Sequence, residues 1–333
     1  MELGGRIREA WRARAELERD PGLDCYRLFH GASEGCPGLE IDRYGDAVVI
    51  AHRAEQAALL GEVVASLDRC RRFELIVARV RGRMPGGGVA RTAVALRGTP
   101  PAGPAWVVAE HGLRFAVDPM RAGNPGLYLD ARPARRWIRE QAAGRRVLNL
   151  FAFTGSLGVA AAVGGARAVV HVDSHRGALE WCRANAALNR VAVDERDLAR
   201  MNIYQHVRRG QAGRQRYGAI ILDPPPGPEQ PRPKDRSPGL RGTHALIPLV
   251  ARMLEPGGWL LCFFHRDPRE RDVIEKEATG ASGELSLLWQ GASGPDFPET
   301  DPRRGLRVMA WTRAPAPATE FRLRGDGSPA GVR

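Results

Sequence analysis

Residues 145–189 read RRVLNLFAFTGSLGVAAAVGGARAVVHVDSHRGALEWCRANAALN. An apolar run at Val147–Leu150 passes through a Thr154-Gly155 turn into a small-residue helical segment, and a second apolar run ends on Asp173 ahead of another helical segment. Strand, turn, helix, strand and helix in that order predict parallel strands covered by helices. Ligands of such sheets bind beyond the carboxyl ends of the strands, where the first turn brings backbone amides and a helix N-terminus together. The turn here, NLFAFTGSLG, has no G-x-G-x-x-G pattern, which argues against a nicotinamide or flavin dinucleotide. Thr154, Gly155 and Ser156 still permit close backbone approach.

The same alternation continues on both sides of this unit. PARRWIREQAA precedes it as a helix; YGAIILDPPP, THALIPLVARML and GGWLLCFFH follow as strand, helix and strand. A doubly wound, mostly parallel α/β sheet over residues 119–315 is the expectation. Residues 23–118 instead show short apolar segments separated by turns, with hairpins expected at Tyr44-Gly45-Asp46 and His111-Gly112 and a helix within AALLGEVVASLDRC. This stretch reads as a small α+β domain on the substrate side. Leu3, Ile7, Ala10, Trp11 and Leu17 recur at helical spacing, predicting one amphipathic helix within 1–22, and 316–333 has the composition of a disordered tail.

Composition narrows the class. The 333 residues are enough for two domains with separate cores. No apolar run reaches the length of a membrane span and the first twenty residues have no secretory apolar core, so no membrane partner and a cytoplasmic location are expected. Five dispersed cysteines, without C-x-x-C or histidines at ligand spacing, indicate neither a disulfide framework nor a metal site. The formal charge of +12 suits a polyanionic partner. Only Lys234 and Lys276 are lysines, however, so arginine is enriched throughout and the charge alone does not select RNA over a solvated basic surface.

Two further features converge on the crevice beside the Thr154-Gly155 turn. Asp173, at the end of the second strand, stands where an acidic side chain accepts from both hydroxyls of an adenosine ribose, a role favoured by the turn upstream over the alternative in which Asp173 and Ser174 cap the next helix. Asp223-Pro224-Pro225 ends the strand AIIL abruptly and holds acceptors at the same sheet edge, suited to an amino group or planar base.

With these motifs in this order, the sequence resembles the class I S-adenosylmethionine-dependent methyltransferases with their Rossmann-like sheet. Within them it is similar to the bacterial 23S ribosomal RNA base methyltransferases, the 5-methylcytosine and 7-methylguanine enzymes of the RlmI and RlmK groups. YRLFHGASEGCPGLEIDRYGD, GLYLDARPARRWI, VLNLFAFTG, GGARAVVHVD, LEWCRANAALN and ILDPP carry the resemblance, from about Tyr26 to about Arg313. It implies S-adenosylmethionine as cofactor and 23S RNA or a large-subunit precursor as partner, and it leaves a homodimer open. It assigns Tyr128, Asp130 and Arg132 to the cofactor-pocket wall, Phe151, Thr154 and Gly155 to the methionine end, and Asp173 with Ser174 to the ribose. Asp223, with Pro224 and Pro225, would border the methyl group and target base.

Four departures bear on mechanism. The matched segment begins too near the start for the pseudouridine-synthase-like module that leads many relatives, so RNA contacts are expected elsewhere. A Lys-Thr-Gly of the relatives reads Asn124-Pro125-Gly126 here. Asn202 stands where relatives place an aspartate for the adenine amino group, and its amide oxygen could still accept. Methylation at carbon 5 of cytosine needs a cysteine thiolate to add to the ring first, yet His265 occupies that cysteine's place and Cys262 lies earlier, within an apolar strand. Nitrogen 7 of guanine has its own lone pair and is the favoured target. The alternatives are a small-molecule or protein methyltransferase on the same scaffold and a non-catalytic RNA-binding relative.

Overall fold

Two sheets organise the chain, and each follows from its own sequence rhythm. The structure is a computed structural model that describes residues 2–81, 93–121, 123–225, 246–265, 285–301 and 305–314. The expected tail at 316–333 lies outside the described residues.

The first sheet comprises β1 (Cys25–His30), β2 (Glu40–Tyr44), β3 (Ala47–His52), β4 (Leu75–Val80) and β5 (Ala93–Arg97), in that spatial order. Neighbours are antiparallel except β3 and β4, which run parallel because a helix crosses between them. Both expected hairpins form. Gly45 supplies a positive φ between β2 and β3, and His111 and Gly112, both left-handed, join Trp106–Glu110 to Leu113–Val117 in a two-residue turn.

The single N-terminal helix expected from periodicity is broken into α1 (Leu3–Ala13) and α2 (Ala15–Arg19). Arg14, at the break, is buried and turned inward. It donates from Nε to the Arg27 carbonyl and from Nη2 to the Asp296 carbonyl, both at 3.0 Å, and pairs with Glu34. Periodicity counted its charge as solvent-facing, whereas tertiary acceptors claim it. Ile7 and Ala10 pack α1 onto the first sheet and onto the crossover helix α3 (Leu60–Asp68).

The second sheet is built from β8 (Arg146–Leu150), β9 (Ala168–Asp173), β10 (Leu198–Arg200), β11 (Tyr217–Leu222), β12 (Leu254–Phe264), β13 (Leu285–Ala292) and β14 (Arg307–Arg313); the Trp106–Glu110 and Leu113–Val117 strands are β6 and β7. Its order is β10-β9-β8-β11-β12-β14-β13. The first five strands are parallel, the four expected ones and the short β10, which the sequence did not suggest, but β14 runs antiparallel to β12, and β13 to β14. These two strands were not legible in the sequence: β13 is an edge strand exposing Leu287 and Leu288, so it lacks the apolar alternation of a covered strand. Helices α4 (Arg132–Gln141), α5 (Ser156–Val163), α6 (Arg176–Leu188), α7 (Ile203–Ala212) and α8 (Ile247–Ala251) accompany the sheet. Two buried clusters fill it, one continuous with the first sheet and the other around Leu148, Ile220, Leu260 and Trp311. The chain reverses its winding direction between β8 and β11, which opens a crevice at their carboxyl ends.

Candidate active site

The turn after β8 is held in a strained shape. Phe151 and Phe153 have φ of 59° and 49°, in the left-handed region that costs a bulky residue about 1–3 kcal/mol. That shape aims the Phe153 amide at Asp173, donating to Oδ2 at 2.8 Å. Gly155 follows at φ 80°, where an added Cβ would come within 2.2 Å of the Cys182 sulfur. Thr154 clamps the turn from behind: its hydroxyl donates to the Gly126 carbonyl at 2.6 Å and its carbonyl accepts from Asn185 at 2.9 Å.

Beyond this turn opens a cavity of about 830 Å³ between the two sheets. Asp173 faces it with 13% of its side chain exposed. One carboxylate oxygen takes the Phe153 amide and the other the His175 amide at 2.9 Å, which fixes both oxygens and leaves lone pairs for hydroxyl donors. Phe151, Phe153 and Ile203 supply apolar wall beside it. On the other side of the switch point, Asp223 follows β11; its Oδ1 lies 3.1 Å from Nε2 of His265, which follows the neighbouring β12. Pro224 and Pro225 also line the cavity.

Asp130 and Tyr128 approach from the turn that starts α4. The Asp130 carboxyl is pushed up from its ordinary range by burial; His265 and Arg27 oppose that shift and Asp223 reinforces it. The Tyr128 phenol is pushed up to about 12 by burial, with Asp223 and Asp130 adding to the effect. This wall therefore favours a positively charged guest. A sulfonium bearing an ammonium group is such a guest, and Asp173 presents lone pairs suited to a diol, so the residues present fit S-adenosylmethionine.

Several expected site residues stand elsewhere. Arg132 does not line the cavity; it is buried and paired with the fully buried Asp296, whose other oxygen accepts the Arg27 amide at 3.0 Å. Arg132 therefore ties α4 to the segment after β13. Thr154 and Gly155 lie behind the wall rather than on it, because close packing against Gly126 and Cys182 takes up their contacts. Asn202 does line the cavity, but its amide oxygen caps α7, accepting from Tyr204 at 2.9 Å and Gln205 at 3.4 Å, so the adenine acceptor expected there is already engaged. Ser174 is at the rim beside Asp173.

Sequence reasoning missed the face contributed by the first sheet. Arg27 pairs with Asp42 through Nε at 2.7 Å and Nη2 at 3.1 Å, and with Glu40 at 2.8 Å. Burial alone would raise the Glu40 pKa, but Arg27 and Arg81 hold it below its usual value. His30 lies 3.1 Å from Glu299 and edge-on to Phe297. The available signal was charge inside apolar strands, as in YRLFH, EIDRY and LIVARV.

Residues 92–312 match the model of the S-adenosylmethionine-dependent methyltransferase family. The chain belongs to this family. S-adenosylmethionine is accordingly the cofactor of this methyltransferase. Among its relatives, ribosomal RNA large subunit methyltransferase I of Erwinia tasmaniensis is 33% identical over 303 residues, covering 88% of this chain and 75% of the relative. The protein of the same name from Salmonella paratyphi B is 31% identical over 304 residues, covering 88% and 73%. Among solved structures, SMU.776, assigned as a methyltransferase and complexed with S-adenosylhomocysteine, aligns with a TM-score of 0.80 at 22% identity over 93% of this chain and 80% of its own, a likeness of fold. Among the described residues, no group of three or more His, Cys, Asp or Glu could hold a metal ion, and no helix is long and apolar enough to cross a membrane.

Proposed function

We propose that this methyltransferase modifies a base of large-subunit ribosomal RNA in the cytoplasm, at a ring nitrogen, with nitrogen 7 of guanine as the target. The names of the two relatives support the RNA class. The choice of atom rests on one observation: none of the five cysteines lines the cavity. Cys262 is 1% exposed among Leu222, Met309 and other apolar side chains, and burial pushes its thiol far above the ordinary range. A thiol in that state does not add to a pyrimidine ring. A target atom with its own lone pair needs no such addition.

When bound, the cofactor supplies a methyl group on a cationic sulfur. In this reading Asp173 holds the ribose hydroxyls and the Phe151–Phe153 turn shapes the wall beside them. Asp130 and Tyr128 face the charged end. Asp223, oriented by His265, accepts from the donor edge of guanine and stabilises the positive charge that the ring gains on methylation at nitrogen 7. No proton has to leave the base, so alignment and exclusion of water carry the rate.

The test is transfer of labelled methyl from S-adenosylmethionine to unmodified 23S RNA, followed by nuclease digestion and mass spectrometry, with Asp223→Ala as control. Recovery of 7-methylguanosine is expected. Recovery of 5-methylcytidine would overturn the atom assignment, and no label in RNA despite cofactor binding would move the substrate to a small molecule or protein.

A further inference from the structure

Arginine 79 is the outlier on the cavity wall. It sits on β4 in a row with Ala51 of β3, Glu40 of β2 and His30 of β1, on the sheet face turned toward the cavity. Only 5% of it is exposed. The two nearby carboxylates are committed elsewhere: Asp42 to Arg27, and Glu40 to both Arg27 and Arg81. Arg79 has no carboxylate partner among the described residues. One guanidinium nitrogen, Nη1, is anchored by the Gly123 carbonyl and, at 3.5 Å, by that of Arg121. No described protein group takes the remaining nitrogens, Nε and Nη2.

Burial lowers the pKa of this guanidinium and Arg81 adds to the effect, while Tyr44, Asp42 and Glu40 do not fully offset it. A buried cation without a counter-ion is costly to maintain and is retained where a ligand supplies the missing charge. The anchored Nη1 leaves the other edge of the planar group oriented as a fork, the geometry that recognises phosphate oxygens. Two residues along the same face, Arg81 stands at the rim with 41% of its side chain exposed and is paired with Glu40, so of these two cations only Arg79 is left for a ligand.

We propose that Arg79 binds a backbone phosphate of the substrate RNA next to the target nucleotide, which makes the first sheet a nucleic-acid-positioning surface. This rests on the RNA reading above. The phosphate enters between the sheets with the nucleotide, and Arg79 registers the base against Asp223 without touching the transferred methyl group; it is a positioning residue.

The experiment measures binding of a 23S RNA fragment across a salt series for the wild type, Arg79→Gln and Arg79→Lys, with S-adenosylmethionine affinity measured by calorimetry and thermal melts reporting the fold. Arg79→Gln is expected to weaken RNA binding about 10- to 100-fold at low salt. It should also make the slope of log affinity against log salt shallower by about 0.7 to 0.9. Cofactor affinity should stay unchanged, and Arg79→Lys should restore the slope. If the wild type binds no RNA, the RNA reading falls and this proposal with it. If the wild type binds and Arg79→Gln keeps its slope, only the assignment to Arg79 falls. A loss confined to S-adenosylmethionine affinity would assign the missing anion to the cofactor's carboxylate and overturn the proposal.

Discussion

Acid should loosen the strand that carries Asp173 through one histidine. His171 lies in β9, two residues before Asp173, fully enclosed between Asn149 Nδ2 and Cys182 Sγ, each 3.3 Å from its Nδ1. Burial pushes its pKa down from 6.5 to about 4. Between those values the unfolded chain binds a proton that the native protein refuses, so stability is full above pH 6.5 and falls as the pH drops toward 4. Each pH unit in that interval is worth about 1.4 kcal/mol, and the whole interval about 3 kcal/mol. Urea unfolding of the wild type and His171→Asn from pH 7.5 to 4.5 isolates this contribution, because other titrating groups are common to both proteins. His171→Asn should be the less stable at pH 7.5, since it leaves a void beside Gly158, and the gap should shrink by about 2–3 kcal/mol by pH 4.5. Curves that stay parallel, or a His171 imidazole titrating near 6.5 by NMR, would refute the reasoning.

Replacing Asp173 with Ala removes a charged acceptor from the proposed ribose position and should weaken S-adenosylmethionine binding by about 1–3 kcal/mol in calorimetry, with unchanged affinity counting against the pocket. Cys262→Ala removes a packed sulfur without touching the cavity, so a folded variant should keep methyl transfer; abolished turnover would revive a covalent mechanism. Arg135 and Glu110 form a fully buried pair with Nε and Nη2 contacts of 2.7 and 2.6 Å. Arg135→Met should cost about 3–5 kcal/mol in urea melts by stranding the Glu110 charge, and adding Glu110→Leu should recover much of it. Gly155→Ala should destabilise by about 2–4 kcal/mol, combining an unfavourable φ with the approach to Cys182, and a melt matching the wild type would contradict the turn geometry.

The active site depends on contacts between elements far apart in sequence. Asp296 illustrates this: it accepts from Arg27 of β1, pairs with Arg132 of α4 and offers its carbonyl to Arg14 beside α1. Replacing it would therefore disturb both sheets at once, and with them the cavity they enclose.

Local sequence sufficed for the parallel strands β8, β9, β11 and β12, because strands covered on both faces must be continuously apolar and their helices must be amphipathic or small. It also sufficed for the hairpins at Gly45 and Gly112, where the backbone needs left-handed φ, and for the placement of Asp173 and Asp223 at strand ends beside one crevice. Charges could not be read in the same way. A residue type does not say whether a guanidinium faces solvent, a carboxylate or a ligand; that depends on which distant carbonyl or carboxylate the fold brings beside it. Tertiary structure thus turned Arg14 inward and broke the first helix, moved Arg132 from the cofactor wall to Asp296, and engaged Asn202 as a helix cap. It also set His265 against Asp223 and left Arg79 in the cavity without a carboxylate among the described residues.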